Sequence, residues 1–394
     1  RRRARRQPTG TSLYPRVPRR RARRRPLPLV IPDAMIRRSM LGLLNPRSVR
    51  FYSEARAMVG RRYAWVCGVT LAVGMAAHSV AQAQVRSQEL RASEDPGEFY
   101  SAAMHAGDTY ILVGEQSLED QKASVAVSSD AGVTWTVHKT MAPGRLVAGY
   151  MFDAQNGLAV GEAGTALTTD DGGASWDVRT TKVQADLQGA FLLTADKGWA
   201  VGANSTIVTT SNGGSTWQVL QGGQPSGQVG EGEIMLMGVH FFDDKNGIVV
   251  GAGTEGAILR TKDGGRKLDI IYQSEDNFVD LVFSDADHGW AVGKYGLIVR
   301  TSDGGDTWER LGSPTEEDLW DIDVGAPGTL WISGDQGVVG YSTDSGDSWT
   351  LVGLQMTIFE TTKALTKPMR GVVADGAKAW ASTEWGRVYY LELQ

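Results

Sequence analysis

The chain has 394 residues, 41% of them hydrophobic, one cysteine, and a formal net charge of −5. That charge averages two opposites. Residues 1–83 hold 19 of the 40 basic residues and only Asp33 and Glu54 of the 45 acidic ones, which leaves 21 basic against 43 acidic from position 84, a net of −22. So acidic a body lacks the counter-charge for non-specific nucleic-acid binding, and with Cys67 upstream it has no thiol for a disulfide.

Residues 1–57 carry the arginine runs RRRARR and RRRARRR, show no core pattern, and have only four serines, unlike Ser-rich transit peptides. They read as a non-native or disordered leader, with Met58 as the initiator. Residues 58–83 then join Arg61 and Arg62 to an apolar run and the Ala81-Gln82-Ala83 cleavage signal. This is the grammar of a signal peptide, too short to span a membrane comfortably. The expectation is export to a periplasm, by the Sec or the twin-arginine route, of a body that does not itself span the membrane. Cys67, preceded by Ala64-Trp65-Val66, is a poor lipid-attachment context.

From about residue 100 a single unit repeats. The octets SSDAGVTW (128–135), TDDGGASW (169–176), TSNGGSTW (210–217), TKDGGRKL (261–268), TSDGGDTW (301–308) and STDSGDSW (342–349) end 41, 41, 51, 40 and 41 residues apart. Each is preceded by three β-branched, aromatic-rich runs and followed by a fourth, as in FVDLVF, GWAVG, GLIVR, box, WERL. Four antiparallel strands (a, b, c, d) per period make one propeller blade, and the octet is the c–d hairpin. There Asp130, Asp171, Asn212, Asp263, Asp303 and Asp344 offer an oxygen to backbone N–H groups, and Gly305 supplies a positive φ. Thr307 suits the following strand. Trp135, Trp176, Trp217, Trp308 and Trp349 bury a ring between blades. Loss of the Trp308 ring is expected to cost roughly 3–5 kcal/mol. Lys267 and Leu268 make the fourth hairpin the weakest.

Residues 368–394 give three more strands and no box, and 84–93, QVRSQELRAS, is a strand without a blade. Joining them makes a seventh blade and removes two unpaired edges. The expected fold is therefore all-β, a seven-bladed β-propeller over 84–394, closed by its N-terminal strand and monomeric.

Little catalytic chemistry is visible. The body's His105, His138, His240 and His288 have no ligand spacing, so no metal or cofactor is expected, and neither a nucleophile elbow nor a phosphate loop occurs. Aligning innermost strands puts Gly149, Gly189, Gly238, Asp280, Asp321 and Gly371 at one channel-facing position. Asp280 and Asp321 are thus either a hydrated lining or the acid/base pair of a glycosidase, whose carboxyls stand ~5–9.5 Å apart. A sialidase would also need an arginine triad and an Arg-Ile-Pro segment, and no Arg-Ile-Pro occurs. The b–c turns, at the end opposite the boxes, carry Glu162, Asn204, Glu255, Lys294, Tyr295, Asp335, Glu384 and Trp385. Four carboxylates there would draw a basic or amine-bearing segment, with Tyr295 and Trp385 as apolar anchors.

The segments GWAVGANSTIVTTSNGGSTW (198–217), GWAVGKYGLIVRTSDGGDTW (289–308) and NGLAVGEAGTALTTDDGGASW (157–176) resemble the photosystem II stability/assembly factor family, over about 84–394. The resemblance implies a non-catalytic propeller with Asp-box (BNR) repeats, acting as assembly factor or scaffold for a membrane-protein complex or its precursor subunit. It also implies partner binding through basic surface residues. Arg260 and Arg300 match these, while Thr168 and Thr209 stand in their place in blades two and three. The alternative is a secreted carbohydrate-active propeller.

Overall fold

The computed structural model describes residues 85–91, 99–116, 122–222, 234–358 and 361–394. The Arg-rich leader, the signal-like segment and Cys67 lie outside these. Seven four-stranded antiparallel sheets are present. Their innermost strands are Phe99–Ala106, Leu146–Met151, Leu187–Leu192, Met235–Phe241, Phe278–Phe283, Leu319–Val324 and Met369–Asp375, and each packs on the next around the ring. Blade seven closes as expected: Val85–Arg91 is its outer strand, antiparallel to Arg387–Leu393, with Glu89 and Arg387 ion-paired across the two. A short hairpin, Gln355–Ile358 with Thr361–Ala364, lies between blades six and seven.

The second strands of blades two, five and six are buried at every position (GLAVG, GWAVG, LWISG) and the others at all but one end residue, because both faces of an inner propeller strand meet neighbouring blades. Packing therefore falls into clusters that each join two adjacent blades. The box tryptophans belong to these clusters. Trp217 is 3% exposed, whereas Trp308 is only half-buried and meets Phe283 edge-on. The cost expected for losing its ring falls accordingly, and the fully buried rings are those of the second strands, Trp199 and Trp331.

All six boxes share one bonding scheme. The Asp or Asn oxygen accepts the backbone N–H four residues on, at 2.8–2.9 Å from Thr134, Ser175, Thr216, Lys267, Thr307 and Ser348. The first-position hydroxyl donates to that oxygen and accepts the N–H of the fifth-position glycine, as Thr301 does with Asp303 and Gly305. Thr307 is more than a strand former, since its hydroxyl donates to Asp303 at 2.6 Å. Lys267 lacks that hydroxyl, so the fourth box keeps the backbone bond and the Thr261 bonds but loses the seventh-position side-chain bond.

The carbonyl of the fourth box residue also latches neighbouring blades. Trp199 Nε1 donates to Gly264 O, Trp290 Nε1 to Ser345 O and Trp380 Nε1 to Ala131 O, each at 3.0 Å. Arg260 reaches Gly304 O at 2.8 Å and Arg300 reaches Ser345 O at 3.0 Å. Arg260 further pairs with Asp306, and Arg300 with Glu309 and Asp347. These two arginines are therefore committed to inter-blade bonds.

Candidate axial cavity and rim

Every innermost strand slips register once near its start, and the residue after the slip points at the axis. Pairing identifies that ring as Ala102, Ala148, Gly189, Gly238, Asp280, Asp321 and Gly371. Blade two thus contributes Ala148 rather than Gly149. A one-residue slip moves a side chain to the other face, and Gly149 instead lies against Met104 of blade one. Two residues along comes a bulkier ring of Met104, Tyr150, Phe191, His240, Val282, Asp323 and Val373. Here Tyr150–Phe191 and Phe191–His240 pack as tilted pairs at 4.9 and 4.6 Å between centroids. These rings line a cavity of about 740 Å³. Burial among the aromatics lowers His240 to a pKa of about 4, so its ring is neutral at pH 7.

The channel carboxyls fill the open hydrogen-bonding edge of the next blade's innermost strand. Asp280 accepts Ile322 N–H at 3.2 Å, Asp321 accepts Val372 N–H at 2.9 Å, and Asp323 accepts Ala374 N–H at 2.7 Å. Asp280 and Asp321 are hydrogen-bonded to each other, which brings them closer than the ~5–9.5 Å that leaves room for a glycosidic bond. Burial and then the charge of Asp280 hold Asp321 well above the usual carboxylate range, so Asp321 keeps the proton they share. Burial likewise lifts Asp323 to about 6, against the pull of His105, 4.0 Å away. Asp323 was missed in the sequence, although it sits two residues from Asp321 and so on the same face.

A raised carboxyl pKa means that the folded state holds a proton the unfolded chain has lost, so stability falls as pH rises from about 4 through the folded value. Asp321→Asn supplies a permanent donor to Asp280 and keeps the acceptor for Val372. The variant is expected to match wild type at pH 4 and to be the more stable of the two at pH 8. Denaturant titrations at the two pH values check this, and equal stability at pH 8 would contradict the shared proton. The box carboxylates Asp130 and Asp303, lowered to about 2 by their hydroxyl and backbone donors, act in the opposite sense below pH 4. They are common to both proteins and cancel.

The b–c turns form the rim opposite the boxes, as expected, but its carboxylates are not a free acidic ring. Glu162 pairs with Arg145 at 3.2 Å and Glu384 with Arg370 at 3.4 Å; Asp335 accepts Trp320 Nε1 at 2.6 Å, and Glu255 accepts Gln273 at 3.1 Å. Lys294 pairs with Asp318 at 2.8 Å. Trp320, absent from the sequence-based set, has Lys294 3.7 Å and Arg370 4.2 Å from its ring centre. Tyr295, at φ 54°, is 70% exposed, and Trp385 is 46% exposed. Asn204 is buried in its turn. Among the described residues no group of three or more His, Cys, Asp or Glu could hold a metal ion, and no helix is long and apolar enough to cross a membrane.

Seven blades, six of them turned by the same Asp-box hairpin around an axial cavity, define a seven-bladed Asp-box β-propeller. The family described as Photosynthesis system II assembly factor YCF48 matches residues 127–229 and 266–392, and the chain belongs to that family. Among curated relatives, Photosystem II assembly lipoprotein Ycf48 of Prochlorococcus marinus is 36% identical over 77 residues, 18% of this chain and 23% of that protein. Photosystem II stability/assembly factor HCF136, chloroplastic, of Oryza sativa subsp. japonica is 32% identical over 84 residues, 20% of each. The aligned stretches thus span about a fifth of those relatives. Among solved structures, YCF48 bound to D1 peptide superposes with a TM-score of 0.58 at 17% identity, over 79% of this chain and 97% of that one. Virginiamycin B lyase from Staphylococcus aureus gives 0.55 at 13% identity, over 79% and 100%. Likeness at these identities speaks for the fold alone.

Proposed function

We propose that this protein is an exported, non-catalytic assembly factor that holds a segment of a photosystem-type membrane subunit, or of its precursor, on the rim opposite the boxes. It acts as a monomer, in the periplasm or a thylakoid lumen. The family match across both halves of the propeller carries this reading. The names of its relatives, assembly factors that are lipoproteins or chloroplastic, support it, as does the D1 peptide held by the structural neighbour. The rim is favoured on physical grounds. Box side chains are spent on their own turns and on neighbouring blades, whereas Tyr295 and Trp385 present large exposed apolar area. With Glu162, Asp335 and Glu384 already partnered, recognition rests on these aromatics and on the strip of Lys294, Trp320 and Arg370 more than on net charge. Glu255 adds an exposed carboxylate.

The test is capture from detergent-solubilised membranes of the source organism. Tyr295→Ala/Trp385→Ala is expected to reduce recovery of a membrane subunit about tenfold or more, the loss of one or two interface anchors, with the melting temperature unchanged. Asp280→Asn/Asp321→Asn is expected to keep the partner. Undiminished capture by the aromatic variant would remove the rim from the account. Hydrolysis of a glycan by wild type but not by the Asn pair would overturn the non-catalytic reading.

A further inference from the structure

We infer that the axial cavity is a binding site for a small organic cation, an alkylated ammonium compound, reached from the box end and separate from the rim. Its size comes first. At the level of Asp280 and Asp321 the other five blades present only Ala102, Ala148, Gly189, Gly238 and Gly371, which leaves the middle of the axis open. The resulting space of about 740 Å³ falls within the ~300–1,000 Å³ of small-molecule sites.

The lining is two-sided. Along blades two to five runs a continuous aromatic wall of Tyr150, Phe191, His240 and Phe283, with successive centroids 4.9, 4.6 and 4.8 Å apart. Blades five and six supply Asp280, Asp321 and Asp323, and Asp323, three blades round from Phe191, stands across the axis from it. Among the described residues no Lys or Arg lines either of these levels. The basic side chains of the lining, Arg145 and Arg370, lie at the rim end and are paired with Glu162 and Glu384. His105 stands 4.0 Å from Asp323, and His240 is neutral at pH 7. Ring faces and carboxylates in one enclosed space favour a cation.

The bonding of the carboxyls decides which class of cation. Asp280, Asp321 and Asp323 spend their oxygens on the N–H groups of Ile322, Val372, Val324 and Ala374 and on each other. They offer charge more than free acceptors. A primary ammonium has three donors to satisfy, whereas an alkylated one has few or none and is held by ring faces and charge. The Tyr150 hydroxyl and the His240 ring line the same space with no hydrogen bond among the described residues, which leaves them to hold a hydroxyl or carbonyl on the ligand. Entry is from the box end. The a–b turns 152–156, 194–197, 242–246 and 284–288, which follow the strands of the aromatic wall, hold six aspartates against Lys197 and Lys245. Their field draws cations to that mouth, while Arg145, Lys294 and Arg370 stand at the other.

The probes are choline and neohexanol, its uncharged carbon isostere, titrated by calorimetry into the full chain. Choline is expected to bind about tenfold or more tightly than the alcohol. In the wild-type protein its N-methyl protons are expected to give nuclear Overhauser contacts to the rings of Phe191 and His240. Asp323→Asn, which keeps an acceptor for Ala374, is expected to weaken choline about tenfold and to leave the alcohol unchanged. Phe191→Leu is expected to weaken choline by a similar factor. Equal affinity for choline and the alcohol, no detectable binding of choline, or choline contacts confined to residues outside the cavity overturns the inference.

Discussion

Removing residues 84–93 is expected to lower the melting temperature by on the order of 10 °C, the effect of several kcal/mol on a chain of this size, and to cause aggregation. Val85–Arg91 is the whole outer strand of blade seven, paired along its length with Arg387–Leu393. Its loss takes away seven register positions, the Glu89–Arg387 ion pair and the cover that Val85 gives the cluster between blades six and seven. It also leaves Arg387–Leu393 as an open edge able to pair with another molecule. Adding the 84–93 peptide in trans should restore part of the loss. A truncated protein with unchanged melting temperature would show that ring closure does not depend on this strand.

Trp199→Ala is expected to cost about 3–5 kcal/mol, the range for a fully buried large-to-small change. The indole lies flat on Phe241, 3.6 Å between centroids and 5° between planes, and its Nε1 latches blade three to the fourth box. That box is the one with Leu268 in place of tryptophan and Lys267 in place of the seventh-position hydroxyl residue, so Trp199 carries more of this seam than its counterparts do elsewhere. Trp199→Phe keeps the stacking and loses the hydrogen bond, for about 1 kcal/mol. Leu268→Ala removes a smaller, half-buried group from the same cluster and should cost clearly less than Trp199→Ala. Urea titrations of the three variants decide the order; equal costs for Trp199→Ala and Leu268→Ala would contradict the latch.

The ring was legible because its signals are local and repeated. The 41-residue period, the two-residue alternation of strands and the Asp-Gly turns each survive in one blade and reinforce one another across six. Closure by 84–93 followed from counting strands. What the pattern could not show was where atoms from different blades meet. The box hydroxyls at Thr301 and its equivalents look like ordinary strand residues, and the latch carbonyls belong to backbone. Arg260 and Arg300 read as surface cations until Gly304 and Ser345 of the following blades stand beside them. The slip that puts Ala148 at the axis is a bulge, which composition does not mark. On the rim, Glu162, Asp335 and Glu384 were read as free charges because Arg145, Trp320 and Arg370 meet them only through the antiparallel pairing of the first and second strands of the same blade, across the register slip. The proton shared by Asp280 and Asp321 likewise depends on two blades crowding one axis.

The most direct test of the assembly-factor reading is hydrogen exchange of the protein alone and in complex with the membrane subunit it captures. Protection confined to the turns at 162–164, 294–296, 335–337 and 384–386, with the six boxes unchanged, is the result predicted. Protection at the boxes with the rim unchanged would contradict it.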